Sequence, residues 1–316
     1  MKILITGTAG FIGFHLAKSL LRDSFDVLGI DSISDYYDIK LKKDRLLKLK
    51  KSKNFIFKKI NISNKESLNK VYESYLPDIV VNLAAQPGVS YSMKNPYSYV
   101  DSNLVGFVNI IECARKFKTQ GFIYASSSSV YGLNEKKPFS ENDRVNKPIA
   151  LYGATKRANE LIASSYSHLY GLHTTGLRYF TVYGPWYRPD MAMFIFAKKI
   201  MDKKPIDIYN NGNIKRDFTY IDDIINGTKL SLMKNYNCEI FNLGNNKTEK
   251  LMDIIKIIEK ELGVSAKLNL LPAKSGDMIE TFADINYSKD MLGYNPEMSV
   301  NDGVPRFVKW FKEYYK

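Results

Sequence analysis

The chain has 316 residues, 45% of them apolar, which is enough for one large α/β unit or two closely joined ones. That length and composition exclude disordered, collagen-like and low-complexity classes. Lys and Arg number 46 against 33 Asp and Glu, a net charge of +13, and so basic a balance keeps a nucleic-acid or anionic-membrane partner in view.

The first apolar run, KILIT (Lys2–Thr6), is apolar enough for a strand covered on both faces. It passes into Gly7-Thr8-Ala9-Gly10-Phe11-Ile12-Gly13 and then a helical pattern over Phe14–Arg22. A backbone that turns tightly under a pyrophosphate has no room for side chains, and the helix start offers N–H groups to the anion. The spacing is GxxGxxG, so by itself it also fits an ordinary glycine-rich turn. The next strand, Asp26–Asp31, ends in a carboxylate eighteen residues past Gly13. Asp31 suits the ribose hydroxyls of an adenosine and repels a 2′-phosphate, which favours NAD over NADP.

Residues 40–59 follow, with ten Lys or Arg and one acid, Asp44, so this window holds +9 of the net charge. Its plain reading is a solvated, lysine-rich helix face, with a phosphate-binding patch as the alternative. Strands are expected at Phe55–Ile62, Asp78–Ala85, Gly121–Ser127 and Thr174–Phe180, and helices at Lys65–Tyr75, Tyr97–Lys116 and Leu151–Tyr170. This alternation predicts an α/β fold with a doubly wound, parallel Rossmann sheet of about seven strands. Tyr183–Asp190 reads as a loop, and Glu239–Gly244 as a late strand returning to the sheet. Residues 1–180 are therefore expected to form the dinucleotide-binding domain, and 181–316 mainly a smaller, interleaved substrate domain.

Two motifs carry chemistry. Strand Gly121–Ser127 ends in Ser126-Ser127-Ser128-Ser129-Val130-Tyr131-Gly132, placing hydroxyls at the carboxyl end of a central strand. Tyr152 and Lys156 stand four apart on one helix face. A free tyrosine has a pKa near 10, and lowering it by about 3 units takes roughly 4 kcal/mol, for which a neighbouring ammonium is a source. Tyr-x-x-x-Lys is common by chance, and it gains meaning only beside the serines and the glycine turn. Cys113 and Cys238 make no disulfide framework, and His15, His168 and His173 lack partners at ligand spacing, so no metal is expected. No apolar run is long enough for a membrane span and no leader is recognisable, so a soluble cytoplasmic protein is expected.

Taken together, GTAGFIG, Asn82–Gln86 (NLAAQ), SSSSVYG, YGATK and Arg216–Asp223 (RDFTYIDD) resemble the extended short-chain dehydrogenase/reductases, specifically their nucleotide-sugar epimerases. Asp35–Leu46 (DYYDIKLKKDRL), Asn95–Ile110 and Arg178–Ala192 (RYFTVYGPWYRPDMA) are similar to UDP-glucuronate 4-epimerases. The resemblance implies Tyr152 as base, Lys156 as its partner and Ser127 as the assisting hydroxyl. It implies NAD against Gly7, Gly10, Phe11, Ile12, Gly13, Asp31, Ile62, Ala84, Gln86, Tyr152 and Lys156. It places the sugar by Ser127 and Thr181, its carboxylate at Arg188, the UDP diphosphate at Arg216 and the nucleotide end at Asp277.

The implied reaction is redox-neutral 4-epimerisation through a transient 4-keto sugar with tightly bound NAD, in a homodimer joined by the Tyr97–Lys116 and Leu151–Tyr170 helices. Ser128 and Ser129 stand where sugar dehydratases need acids, and Ser129 where decarboxylases usually carry Glu. Asn61 stands where the family usually has an aspartate near adenine; Ser90 and Tyr187 depart from the usual Arg and Gly, which leaves another UDP-hexose, such as UDP-glucose or UDP-GlcNAc, as the alternative substrate. A non-enzymatic, dinucleotide-bound nucleic-acid or partner-binding protein is the remote alternative, with the basic window as its contact.

Overall fold

The computed structural model describes residues 1–273 and 278–315. Strands β1 (Lys2–Thr6), β2 (Asp26–Asp31), β3 (Phe55–Lys59), β4 (Ile79–Asn82), β5 (Gly121–Ser127) and β6 (Thr174–Tyr179) join Cys238–Leu243 in one seven-stranded sheet. The order is β3-β2-β1-β4-β5-β6, with Cys238–Leu243 at the far edge, and every pairing is parallel. The chain winds outward from β1 to β3, then crosses back to β4. A crevice opens at the carboxyl ends of β1 and β4, where doubly wound sheets bind their ligands.

The two-residue period of the strands divides the core. Ile3 and Ile5 join the apolar cluster on one face, and Leu4 joins the cluster on the other. Helix α1 (Phe11–Arg22) buries Phe14, Ala17 and Leu20 on the first side, while Lys65–Tyr75 and Gly106–Lys116 cover the second. Each such side chain contributes about 1.5–3 kcal/mol on leaving water.

Strand β4 stops at Asn82, short of the expected Ala85, because side chains replace the ladder beyond it. The Ala84 N–H donates to Thr6 Oγ1 (2.9 Å), and the Gln86 N–H to Asn103 Oδ1 (2.7 Å). The expected Tyr97–Lys116 helix carries a π-turn at Val100–Val105 between Pro96–Tyr99 and Gly106–Lys116. The π-turn holds the buried Asn103, whose Nδ2 also donates to the Gln86 carbonyl (3.1 Å) and Thr155 Oγ1 (3.1 Å).

The basic window divides three ways. Helix α2 (Ile39–Leu49) buries Leu41, Leu46 and Leu49, and most of its lysines are exposed. Lys58 and Lys59 lie on β3, the edge strand, where lysine discourages sheet-to-sheet association. The wholly solvated reading fails, however, at Lys42 and Arg45, which are buried. Their side chains reach inward to polar backbone that only the folded chain brings near.

After β6 the chain leaves the main sheet. Thr181–Tyr183 pairs with Phe218–Tyr220, and Ile206–Ile208 with Leu268–Leu270. Helix Ile221–Lys234 packs back on α1 before the returning strand. Among the described residues no helix is long and apolar enough to cross a membrane, and no three His, Cys, Asp or Glu side chains cluster as metal ligands.

Candidate active site

A cavity of about 590 Å³ opens where β1, β4 and β5 end. Its floor is the glycine turn. Gly7 has φ +71°, a backbone setting that disfavours side chains, and a Cβ there would meet the Ala84 nitrogen at 2.8 Å. A Cβ on Gly13 would stand 2.2 Å from the Gly7 carbonyl oxygen. Helix α1 starts at Gly10 with no side-chain cap and no acid in its first turn. The N–H groups of that turn are thus left for an anion.

Asp31 sits at the lip of this turn and also holds it together. Its carboxylate accepts from the Ala9 N–H (3.0 Å) and the Ile33 N–H (2.7 Å). Burial raises its pKa against those bonds and the nearby Lys42 and Arg45 charges. The Lys42 ammonium donates to the Ser34 carbonyl (2.6 Å) and Oγ (3.0 Å), and burial lowers its pKa. Gly7, Gly10, Phe11, Ile12, Gly13, Asp31, Ile62, Ala84 and Gln86 all line the cavity, so the whole set expected around a dinucleotide is brought together.

Tyr152, Lys156 and Ser127 line the same cavity. Tyr152 lies in the first turn of the Leu151–Tyr170 helix, which places the phenol against the end of β5 within hydrogen-bonding reach of Ser127. Burial raises the Tyr152 pKa, and the Ser127 hydroxyl and the Arg188 charge pull it down. Lys156 lies one helical turn further on. Its ammonium donates to the Ala125 carbonyl at 2.8 Å, and burial lowers its pKa to about 8. Lys156 shares the cavity with Tyr152, and the Arg188 charge is a second cation there, one that lowers the phenol pKa.

The opposite wall comes from the Tyr183–Asp190 segment and its surroundings. Thr181, Arg188 and Arg216 line the cavity, and Arg216 donates Nη1 to the Lys215 (2.9 Å) and Ile279 (3.0 Å) carbonyls. Asp277 lies outside the described residues. Tyr187 packs its ring against Phe11 (5.2 Å between centroids) and Phe307 (5.8 Å). The side chain that departs from the usual glycine is thus core packing as well as cavity wall.

Several residues packed behind the cavity wall were not singled out from sequence. Arg45 is buried without a carboxylate in salt-bridge range among the described residues. It donates to the Ala9 carbonyl (2.8 Å), Tyr37 Oη (2.8 Å) and the Trp186 carbonyl (2.5 Å), tying the glycine turn to the opposite wall. His15, its pKa lowered by burial to about 3, is neutral and bonds the Pro185 carbonyl at 2.9 Å. Arg188 is gripped by Asp190, to which Tyr36 also donates. The two stretches DYYDIKLKKDRL and GPWYRPDMA are therefore one interlocked wall.

An uncapped helix over a glycine cradle, joined in one cavity to a phenol and a hydroxyl, suits a dinucleotide beside a carbinol. The comparisons agree. The model of the NAD dependent epimerase/dehydratase family matches residues 3–244. Protein CapI of Staphylococcus aureus is 49% identical, over 100% of both chains. The UDP-glucuronate 4-epimerase of Thermodesulfobacterium geofontis is 45% identical, over 98% of this chain and 96% of that one. The crystal structure of UDP-glucuronic acid 4-epimerase from Bacillus cereus, in complex with UDP-glucuronic acid and NAD, is 37% identical with a TM-score of 0.94 over 99% of both chains. With a family model across most of its length and relatives aligned nearly end to end, the chain belongs to the NAD dependent epimerase/dehydratase family, as a nucleotide-sugar epimerase.

Proposed function

We propose that the protein keeps NAD bound and interconverts UDP-glucuronate and UDP-galacturonate. The observation that carries this reading is one cavity that joins the glycine cradle and Asp31 to Tyr152, Ser127 and Arg188. The B. cereus relative, with UDP-glucuronic acid and NAD in its complex, supports it. The cradle that a Cβ would fill, the uncapped start of α1 and the carboxylate at the end of β2 fit the cofactor's diphosphate and ribose. Phe11, Ile12, Ile62, Ala84, Gln86 and Lys156 would complete its binding. When bound, NAD supplies reversible two-electron oxidation of a carbinol carbon.

The chain's own residues do the rest. Tyr152 Oη takes the proton of the sugar's C4 hydroxyl and later returns it. Ser127 holds that oxygen and lowers the phenol pKa. Thr181 borders the sugar, Arg188 meets its carboxylate as a charge-assisted donor, and Arg216 faces the diphosphate. Ser128 and Ser129 hold no acid for eliminating water, so the 4-keto sugar is returned as the epimer.

A second reading, a 4-epimerase for a neutral UDP-hexose, is favoured by one observation: Asp190 already cancels the Arg188 charge. Purified protein with no added cofactor, followed by NMR across UDP-glucuronate, UDP-glucose and UDP-GlcNAc, decides between them. Conversion of UDP-glucuronate to the galacto epimer is expected. Turnover confined to the neutral sugars would defeat the acid assignment.

We also propose a homodimer through the helices around Val105 and Leu161. Val105, Val108, Leu161, Leu169 and Tyr170 are large apolar side chains exposed there. Light scattering is expected to give twice the 36.2 kDa chain mass. A monomer at micromolar concentration would refute the dimer.

A further inference from the structure

Arg188 is bound before any ligand arrives. Its Nε donates to Asp190 Oδ1 at 3.0 Å and its Nη2 to Oδ2 at 2.5 Å, a two-point grip on one edge of the guanidinium. Tyr36, from the segment between β2 and α2, donates its hydroxyl to the same Oδ2 at 3.1 Å. A guanidinium has five N–H donors on a rigid plane, so two remain at Nη1 and one at Nη2. Arg188 and Tyr36 both line the cavity. The ion pair carries no net charge, and its side chains are each 21% exposed.

We propose that Asp190, steadied by Tyr36, is a positioning and specificity-determining residue for the sugar: it fixes the Nε–Nη2 edge of Arg188, presents the Nη1 end to the cavity, and cancels the guanidinium charge. Recognition of the substituent on the sugar's C5 then depends on hydrogen-bond direction more than on charge. For a substrate that must turn over inside the cavity this matters. An uncompensated guanidinium would hold a carboxylate tightly in the ground state, and binding spent there slows the chemical step. The proposal rests on the reading that Arg188 faces the sugar, and it gives a role to Tyr36 and Asp190 that neither motif shows alone.

The test uses the intact holoenzyme with UDP-glucuronate and UDP-glucose, comparing wild type, Asp190→Asn, Arg188→Gln and the double variant. Asp190→Asn keeps the shape and removes the counter-charge. KM for UDP-glucuronate is expected to fall at least about threefold while kcat falls about tenfold, and KM for UDP-glucose is expected to move less than about twofold. In the Arg188→Gln background the same change is expected to do nothing further, because Asp190 acts through Arg188. A raised or unchanged KM for UDP-glucuronate, or an undiminished effect without Arg188, would overturn the proposal.

If wild type turns over only the neutral sugar, the acid assignment fails by itself. Asp190 is then tested by the inhibition constant of UDP-glucuronate, expected to fall at least about threefold in Asp190→Asn. Tyr36→Phe removes only the bond that steadies Asp190. It is expected to shift the same constant in the same direction by about twofold, and it carries the test if Asp190→Asn does not accumulate as folded protein.

Discussion

Tyr152→Phe is expected to lower the epimerisation rate by about 10²–10⁴-fold while the protein still purifies with its NAD, because the substitution removes one oxygen and leaves the ring in place. That loss corresponds to roughly 3–5 kcal/mol of barrier. The ring stays because its edge packs on Tyr99, centroid to centroid 6.2 Å, and the cofactor cradle lies on other elements. The pH profile gives a second reading of the same role. Burial raises the Tyr152 pKa, so the phenolate is scarce at low pH, and Ser127 and Arg188 only partly offset this. The wild-type kcat/KM is therefore expected to climb with pH as the phenol ionises, while the residual rate of the variant stays flat over that range. Lys156, with its pKa lowered to about 8, loses its charge before the phenol ionises, so the NAD content is followed across the profile. A variant rate within tenfold of wild type would remove Tyr152 as the base.

Much of this site was legible in the chain because its parts are local. The glycine turn is one strand end and one helix start. Tyr152 and Lys156 share a helix face, and Ser127 ends a strand that runs over its expected residues, Gly121–Ser127. Short range also explains the strands over Lys2–Thr6 and Asp26–Asp31, where apolar runs fill both faces of the sheet. Part of what the sequence did not reveal joins partners far apart in the chain. Arg45 meets Trp186 across 141 positions, and Tyr36 meets Asp190 across 154. Charge density alone makes Lys42 and Arg45 look like their solvated neighbours; only the fold turns them inward, to Ser34 and to Ala9. Arg188 was visible as a cation, but its net effect depends on Asp190, and no periodicity reveals a counter-charge two residues away on an irregular loop. The π-turn at Val100–Val105 escaped for a related reason, since its Asn103 serves the Gln86 backbone and not the helix's own period.

Glu160→Ala is expected to cost about 3–5 kcal/mol of folding stability. Glu160 is 2% exposed and lies one helical turn past Lys156. It accepts from Arg178 Nε (2.8 Å) and Nη2 (3.0 Å), Arg157 Nη1 (2.9 Å) and Ser126 Oγ (2.6 Å). Arg178 is itself 1% exposed and reaches Tyr131, which donates to Asn242 on the returning strand. Removing the carboxylate strands a buried guanidinium, whereas replacing both partners by apolar side chains leaves no charge to strand. Glu160→Leu with Arg178→Met is accordingly expected to recover much of the loss in urea unfolding. Burial would raise the Glu160 pKa, but the Arg178, Ser126 and Arg157 bonds outweigh it and the pKa is lowered. A lowered carboxylate stabilises the fold above its unfolded pKa of about 4.3 and loses that contribution as pH falls through the folded value. The gap between wild type and Glu160→Ala is therefore expected to be full at neutral pH and to close in acid. The network also reaches the candidate site. Ser126 precedes Ser127, so the hydroxyl that meets Tyr152 is held in place by a strand end that Glu160 anchors. A difference below about 1 kcal/mol at pH 7 would mean that the Arg178 charge is satisfied by Tyr131 and solvent without Glu160.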